Sequence, residues 1–305
     1  MNEIIFKNII DDMKDKNLNM ESVIITENNK EYKYIFHEEK RGNIRSLSKT
    51  VTCLALGIAI EKGLFKNGLE EHIIKYFSDF KIYNAANLQY LNEIKLKHLI
   101  TLTVGYEDKL LYSQQLSELK GKDLCEFVLN YPIKHNPGEY FQYSNAPIYL
   151  LSVILESVTG MKLSQFVSEE ILSKLEIVDF NWQESEQNHS MGCSGLELTG
   201  IDLHKVGKLI LNKGIYNEKQ VVSSNWISEM TKLQIKTPTM YDENRALPKY
   251  GYGYNLWICE NGIFYHDGTA GQYIIVIPNK NIVITTTGNQ TPMRPITECM
   301  RELFL

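Results

Sequence analysis

The sequence predicts a mixed α/β (α+β) fold: an antiparallel β-sheet flanked by N- and C-terminal helices, with a mainly helical lobe inserted between its strands. Two observations carry this. Strand-type segments gather towards both ends of the chain, and the long middle reads as helices and loops. Strands segregated from helices in this way specify an α+β architecture rather than alternating βαβ units. With 305 residues the chain has room for one large domain with a substantial core. The expected division is a single domain over 1–305, with an α/β lobe made of 1–65 plus 195–305 and a helical lobe of 66–194.

The elements follow in order. Residues 2–15 carry Ile4, Ile5, Ile9, Ile10 and Met13 at helical spacing, the pattern of an amphipathic helix. The β-rich segments Ser22–Thr26 and Tyr32–His37 flank Asn28-Asn29-Lys30 and read as a hairpin. Next, Arg45-Ser46-Leu47-Ser48-Lys49-Thr50-Val51 runs into the segment Cys53–Ile60, which is apolar nearly all round and so predicts a helix buried on most sides. The middle offers helices at Leu69–Tyr76, Leu96–Leu102, Lys122–Leu129, Ile148–Val158 and Leu163–Leu175, punctuated by Pro137-Gly138 and Thr159-Gly160. Towards the end come strands at Tyr252–Cys259, Gly262–Tyr265, Gln272–Ile277 and Ile282–Thr287, and then a last helix, Pro295–Phe304.

Composition narrows the function classes. A net charge of −5 without a Lys/Arg stripe argues against nucleic acid as a partner. No apolar run reaches the roughly 18 residues of a membrane span, and the start, Met1-Asn2-Glu3-Ile4-Ile5-Phe6-Lys7, lacks the basic and long apolar regions of a signal peptide, so the expected location is cytoplasmic. Cys53, Cys125, Cys193, Cys259 and Cys299 are scattered and odd in number, and the seven histidines show no ligand spacing; neither a disulfide framework nor a metal or other cofactor is expected. The expected partner is a small-molecule or peptide substrate.

Three short motifs carry chemistry. In Ser46-Leu47-Ser48-Lys49 the hydroxyl and the ammonium are three residues apart and share a helix face. Serine becomes a nucleophile when a neighbouring base takes its proton, and burial disfavours a lysine's charge, which makes it able to act as that base. Spacing alone is not specific, since Ser78/Lys81 and Ser117/Lys120 repeat it in polar surroundings. The second motif, Tyr143-Ser144-Asn145, sets a phenol and an amide two residues apart: one can relay a proton, the other can orient a substrate carbonyl. The same pattern also fits a packed aromatic followed by a helix N-cap. In the third, His266-Asp267-Gly268-Thr269, glycine lets another chain approach the strand edge and the Thr269 amide can join that of Ser46 as oxyanion donors. Asp267-Gly268 alone also fits a hairpin turn.

Taken in this order, Ser-x-x-Lys, Tyr-Ser-Asn and His-Asp-Gly resemble the motif set of the serine β-lactamase and penicillin-binding protein superfamily, specifically its class C β-lactamase-like branch of β-lactamases, D,D-peptidases and esterases. The resemblance covers about residues 20–300 and extends to Glu61-Lys62-Gly63-Leu64-Phe65, Leu96–Thr101, Leu198–Leu203 and Leu209–Gly214. It implies a β-lactamase/transpeptidase-like fold and a serine hydrolase that opens an amide or ester through an acyl-enzyme on Ser46, with Lys49 and Tyr143 as acid/base. It further implies Asn145 as a substrate contact, His266 and Gly268 along the strand that holds the substrate, and the Thr269 amide in the oxyanion hole. D-amino acid peptides or amides, β-lactam-like compounds and small esters are all open substrate classes. The alternative is a catalytically weak penicillin-binding or sensing protein on the same fold. Two departures stand out: the family's His-Thr-Ser-Gly reads Leu102-Thr103-Val104-Gly105, and the Lys-Thr of its Lys-Thr-Gly reads His266-Asp267. A substrate carboxylate there would meet an imidazole and an adjacent anion in place of a cation and a hydroxyl.

Overall fold

A computed structural model describes residues 1–237, 247, 250–259 and 261–304. They form two compact units: Met1–Leu47 with Lys174–Phe180 and Glu197–Leu305, and Ser48–Ser173 with Asn181–Leu196.

The first unit is built on an eight-stranded antiparallel sheet. Its strands are β1 (Met20–Glu27), β2 (Lys30–Ile35), β3 (Ile235–Lys236), β4 (Gly251–Tyr252), β5 (Trp257–Ile258), β6 (Phe264–Gly268), β7 (Gln272–Ile277) and β8 (Ile282–Gly288). Across the sheet they run β2-β1-β8-β7-β6-β5-β4-β3. Asn28 and Asn29, both with positive φ, turn β1 into β2, as expected of residues that tolerate the left-handed region in a two-residue hairpin. Register then brings Ile25 opposite Ile284, Ile284 opposite Ile275, and Ile274 opposite His266. Strands β6 to β8 are buried along their whole length, and in β7 that burial goes with the apolar run Tyr273–Ile277.

The helix Gly200–Leu211 packs on β1, β7 and β8. Thr199 caps it, its Oγ1 accepting from the Asp202 amide at 3.1 Å. A Cβ at Gly207 would sit 2.7 Å from Val283 Cγ2, so the absence of a side chain is what seats this helix so closely on the sheet. The N-terminal helix, Glu3–Asp15, buries Ile9, Ile10 and Met13 and packs against the C-terminal helix Arg294–Cys299 and β2. The fold class read from the sequence is therefore the observed one.

Several boundaries differ. The expected strand Tyr252–Cys259 is two short strands folded back on each other, Tyr252 opposite Trp257, because the chain reverses through Asn255 at φ 54°. The last helix breaks at Met300, giving Arg294–Cys299 and Arg301–Phe304. Leu69–Tyr76 resolves into 3-10 turns at Gly68–Glu70 and Ile74–Phe77. A helix not read from the sequence, Ser224–Met230, is capped by Ser223.

The second unit is helical. Its centre is the helix Ser48–Glu61, buried from Ser48 to Ala59 and packed against Ala146–Thr159 and Leu163–Val167. The Ala146–Thr159 helix carries Pro147 in its first turn and ends at Gly160 with φ 70°, the usual asymmetry of helix starts and stops. Further helices lie at Leu96–Ile100 and Leu124–Asn130. No single described helix is long and apolar enough to cross a membrane.

Candidate active site

In the first unit, Ser46 occupies the middle of a 3-10 turn, Arg45–Leu47, so it precedes the α-helix rather than opening it. Arg45 enters the turn at φ 58°, a left-handed conformation that costs a non-glycine residue on the order of 1–3 kcal/mol and tends to be retained at functional positions. The amide of Arg45 donates to Asn43 Oδ1 at 2.8 Å and that of Leu47 to the Ile44 carbonyl at 3.3 Å, which hold the turn. Leu47 is buried and Ser46 is half-buried.

This turn rests on the end of β6. A Cβ at Gly268 would lie 2.6 Å from the Ile44 carbonyl oxygen and 2.8 Å from Arg45 Cβ, so only glycine admits the approach. Asp267-Gly268 is therefore strand, and the reversal falls on Thr269, Ala270 and Gly271, the last two at positive φ. Period-two alternation puts His266 on the same face as Gly268. His266 is fully buried, whereas Thr269 is exposed at the tip.

Asp267 takes the other face. Its Oδ1 accepts from Trp257 Nε1 at 3.0 Å, and the residue is 2% exposed. The expectation of an anion beside His266 facing substrate is thus corrected: the pleat turns the carboxylate away, and an indole N–H from the neighbouring strand holds it. Nothing local in the sequence pairs Trp257 with Asp267, because the contact is made across strands.

In the second unit, Lys49 stands in the first turn of the Ser48–Glu61 helix and is fully buried. Its Nζ donates to the carbonyl of Cys193 at 2.9 Å and lies 5.2 Å from the centroid of the Tyr143 ring. Burial pushes the Cys193 thiol up in pKa, against the opposing pull of the Lys49 charge, so this cysteine serves through its backbone.

Tyr143-Ser144-Asn145 is clamped to Leu110-Leu111. The Ser144 hydroxyl accepts from the Leu110 amide at 3.0 Å, the Asn145 amide donates to the Leu110 carbonyl at 3.2 Å, and Asn145 Nδ2 donates to the Leu111 carbonyl at 2.9 Å. Asn145 stands at the N-cap position of the Ala146–Thr159 helix, yet its side chain makes no capping bond. Its buried Oδ1 has no hydrogen-bond partner among the described residues. The Leu102–Gly105 segment, where the family motif is absent, braces the approach to Tyr143: the Leu102 carbonyl accepts from the Gln142 amide at 3.1 Å and the Thr103 carbonyl from that of Gly138 at 2.7 Å.

The structure thus brings together the Ser46 turn, His266 and Gly268 in one unit, and Lys49, Tyr143 and Asn145 in the other. The Cys193 carbonyl and the Leu111 carbonyl escaped sequence reasoning because backbone acceptors carry no residue-type signal. No group of three or more His, Cys, Asp or Glu side chains among the described residues is disposed to hold a metal ion.

Comparison with known proteins bears on the family and the fold. Protein flp of Staphylococcus aureus (strain MW2) is 22% identical over 275 residues, covering 81% of this chain and 52% of that protein. The chain spans about half the length of the curated relatives it matches. The octameric penicillin-binding protein homologue from Pyrococcus abyssi superposes with a TM-score of 0.75 at 22% identity, covering 98% of this chain and 76% of that one. EstCE1, a hydrolase with promiscuous acyltransferase activity, gives a TM-score of 0.77 at 16% identity, covering 97% and 98%. At such identities the structural likenesses show the fold. A family model described as Beta-lactamase matches residues 6–298, nearly the whole chain, and the chain belongs to the beta-lactamase family.

Proposed function

We propose that the protein is a serine hydrolase that opens an amide or ester through an acyl-enzyme on Ser46, with Lys49 and Tyr143 as its acid/base pair and no cofactor. The observation that carries the reading is Lys49: a fully buried ammonium, three residues after Ser46 in the sequence, with its Nζ on a backbone carbonyl and 5.2 Å from the centre of the Tyr143 ring. A lysine kept out of water beside a phenol can exchange a proton with it, and their titration belongs to the pair. As the serine attacks, its proton passes to this pair; as the acyl-enzyme forms, a proton passes from the pair to the leaving group. The amides of Ser46 and Thr269 would stabilise the oxyanion, a contribution of about 3 kcal/mol per donor. Asn145 would orient the substrate through its Oδ1, which has no hydrogen-bond partner among the described residues.

The substrates proposed are a D-amino acid peptide or amide, a β-lactam-like compound or a small ester. Buried His266, where the family has lysine, favours substrates without an anionic group at that strand. EstCE1, described as a hydrolase with promiscuous acyltransferase activity, is in keeping with a reaction through an acyl-enzyme. The same His266 favours the second reading, a binding or sensing protein with weak turnover. Reaction with a fluorophosphonate probe, followed by intact mass and by mapping of the Glu-specific fragment 40–61, tests both. One label per chain on Ser46, lost in Ser46→Ala, supports the hydrolase; label on Ser78 or Ser117, or none, refutes it.

A further inference from the structure

In the second unit the backbone carbonyls from Met191 to Ser194 each accept from a side chain. Thr52 Oγ1 donates to the Gly192 carbonyl at 2.8 Å and Lys49 Nζ to that of Cys193 at 2.9 Å. The indole Nε1 of Trp182 is shared between the carbonyls of Met191, at 2.9 Å, and Ser194, at 3.0 Å. The Ser194 amide returns to the Met191 carbonyl at 3.0 Å, and the Leu196 amide donates to Ser48 Oγ at 3.2 Å. A Cβ at Gly192 would come within 2.8 Å of Ser152 Cβ, so the Ala146–Thr159 helix backs the segment. Trp182 is 5% exposed.

We propose that Trp182 is a positioning residue for Lys49. A lysine ammonium sits on a flexible four-carbon stem with three rotatable donors, so its acceptors decide where it points. One indole N–H bridges the carbonyls on either side of Cys193 and fixes the peptide planes between them. The Cys193 oxygen is thereby aimed at Nζ. Thr52 holds the intervening carbonyl from the same helix that carries Lys49. The inference rests on the reading of Ser46 as nucleophile and Lys49 as its base partner.

The test is the rate of reaction with a fluorophosphonate over a range of probe concentrations, in wild type, Trp182→Phe, Thr52→Val and Thr52→Ser. Phenylalanine keeps an aromatic ring and removes the N–H; valine keeps the shape of threonine and removes the hydroxyl. The half-saturating probe concentration should stay the same while the maximal rate per labelled chain falls about tenfold or more in Trp182→Phe and Thr52→Val, as for an ångström-scale misplacement of a reacting group. Thr52→Ser should recover the rate. A merely structural role would lower only the final labelled fraction, and that result, or wild-type rates in the variants, overturns the proposal. Either variant decides alone, so a misfolded Trp182→Phe leaves Thr52→Val as the test. Wild-type protein that fails to label at Ser46 instead refutes the underlying hydrolase reading.

Discussion

Replacing Gly268 by alanine tests whether the Ser46 turn owes its place to a missing side chain. Carbon atoms pack at about 3.5–4.0 Å, yet the new methyl would stand 2.8 Å from Arg45 Cβ and 2.6 Å from the Ile44 carbonyl oxygen. Both neighbours are close to the backbone of residues 44–45, so relief requires the turn to retreat by about 1 Å. Overpacking of this kind destabilises by roughly 1–3 kcal/mol. A nucleophile displaced by about 1 Å loses on the order of a hundredfold in rate. Gly207→Ala is the matched control: its Cβ would overlap Val283 Cγ2 at 2.7 Å, a similar clash in the same unit at the Gly200–Leu211 helix. Single-turnover acylation per titrated site, measured beside melting temperature, separates the two. Both variants should melt lower than wild type, and only Gly268→Ala should acylate slowly. Gly268→Ala with wild-type acylation would refute the reasoning that links β6 to the proposed nucleophile, Ser46.

Three further expectations follow from the site and the core. Tyr143→Phe should leave melting almost unchanged while single-turnover acylation falls by roughly a hundredfold or more; Lys49→Ala should lose at least as much, and the double variant little beyond the worse single, since groups acting as a unit are not additive. With His266 in place of a lysine, kcat/KM for p-nitrophenyl butyrate should exceed that for nitrocefin at pH 7, and the reverse order would count against the strand's reading. His204, buried between Thr26 Oγ1 at 2.8 Å and Thr285 Oγ1 at 2.9 Å, is pushed down to about 3 by burial and then by Lys208. Its folded value lies below the unfolded one, so the unfolded chain binds the extra proton and stability falls as pH drops from about 6.5 towards 3, by up to roughly 1.4 kcal/mol per pH unit from this residue. Urea unfolding at pH 7 and 5 should show a weaker pH dependence in His204→Asn.

What the sequence reveals and what it hides divides along physical lines. The Asn28-Asn29 hairpin, the helix after Ser46 and the strands β7 and β8 were legible because turn chemistry and periodicity are local. The pairing of Trp257 with Asp267 was not, since the two side chains meet only after strands β5 and β6 fold back on each other. The clamp on Asn145 was equally hidden, because its acceptor is the carbonyl of Leu111, and the residue's standing as a potential helix cap masked the bond it makes instead. Ser46 was singled out by type and spacing, yet its 3-10 turn is entered through the left-handed Arg45, whose side chain carries no preference for that conformation.

The alternation along β6 also constrains how this protein could change over generations. Substitutions at 266 and 268 alter the face that carries the Ser46 turn, while those at 265 and 267 act on the opposite face, against Trp257. Restoring the family's threonine at 267 would strip Trp257 Nε1 of its carboxylate acceptor, at a cost of about 1–3 kcal/mol for a buried donor. Asp267→Thr should therefore be harmful alone and tolerated beside Trp257→Phe, so a lineage that has acquired the aspartate and the tryptophan together is held there by epistasis.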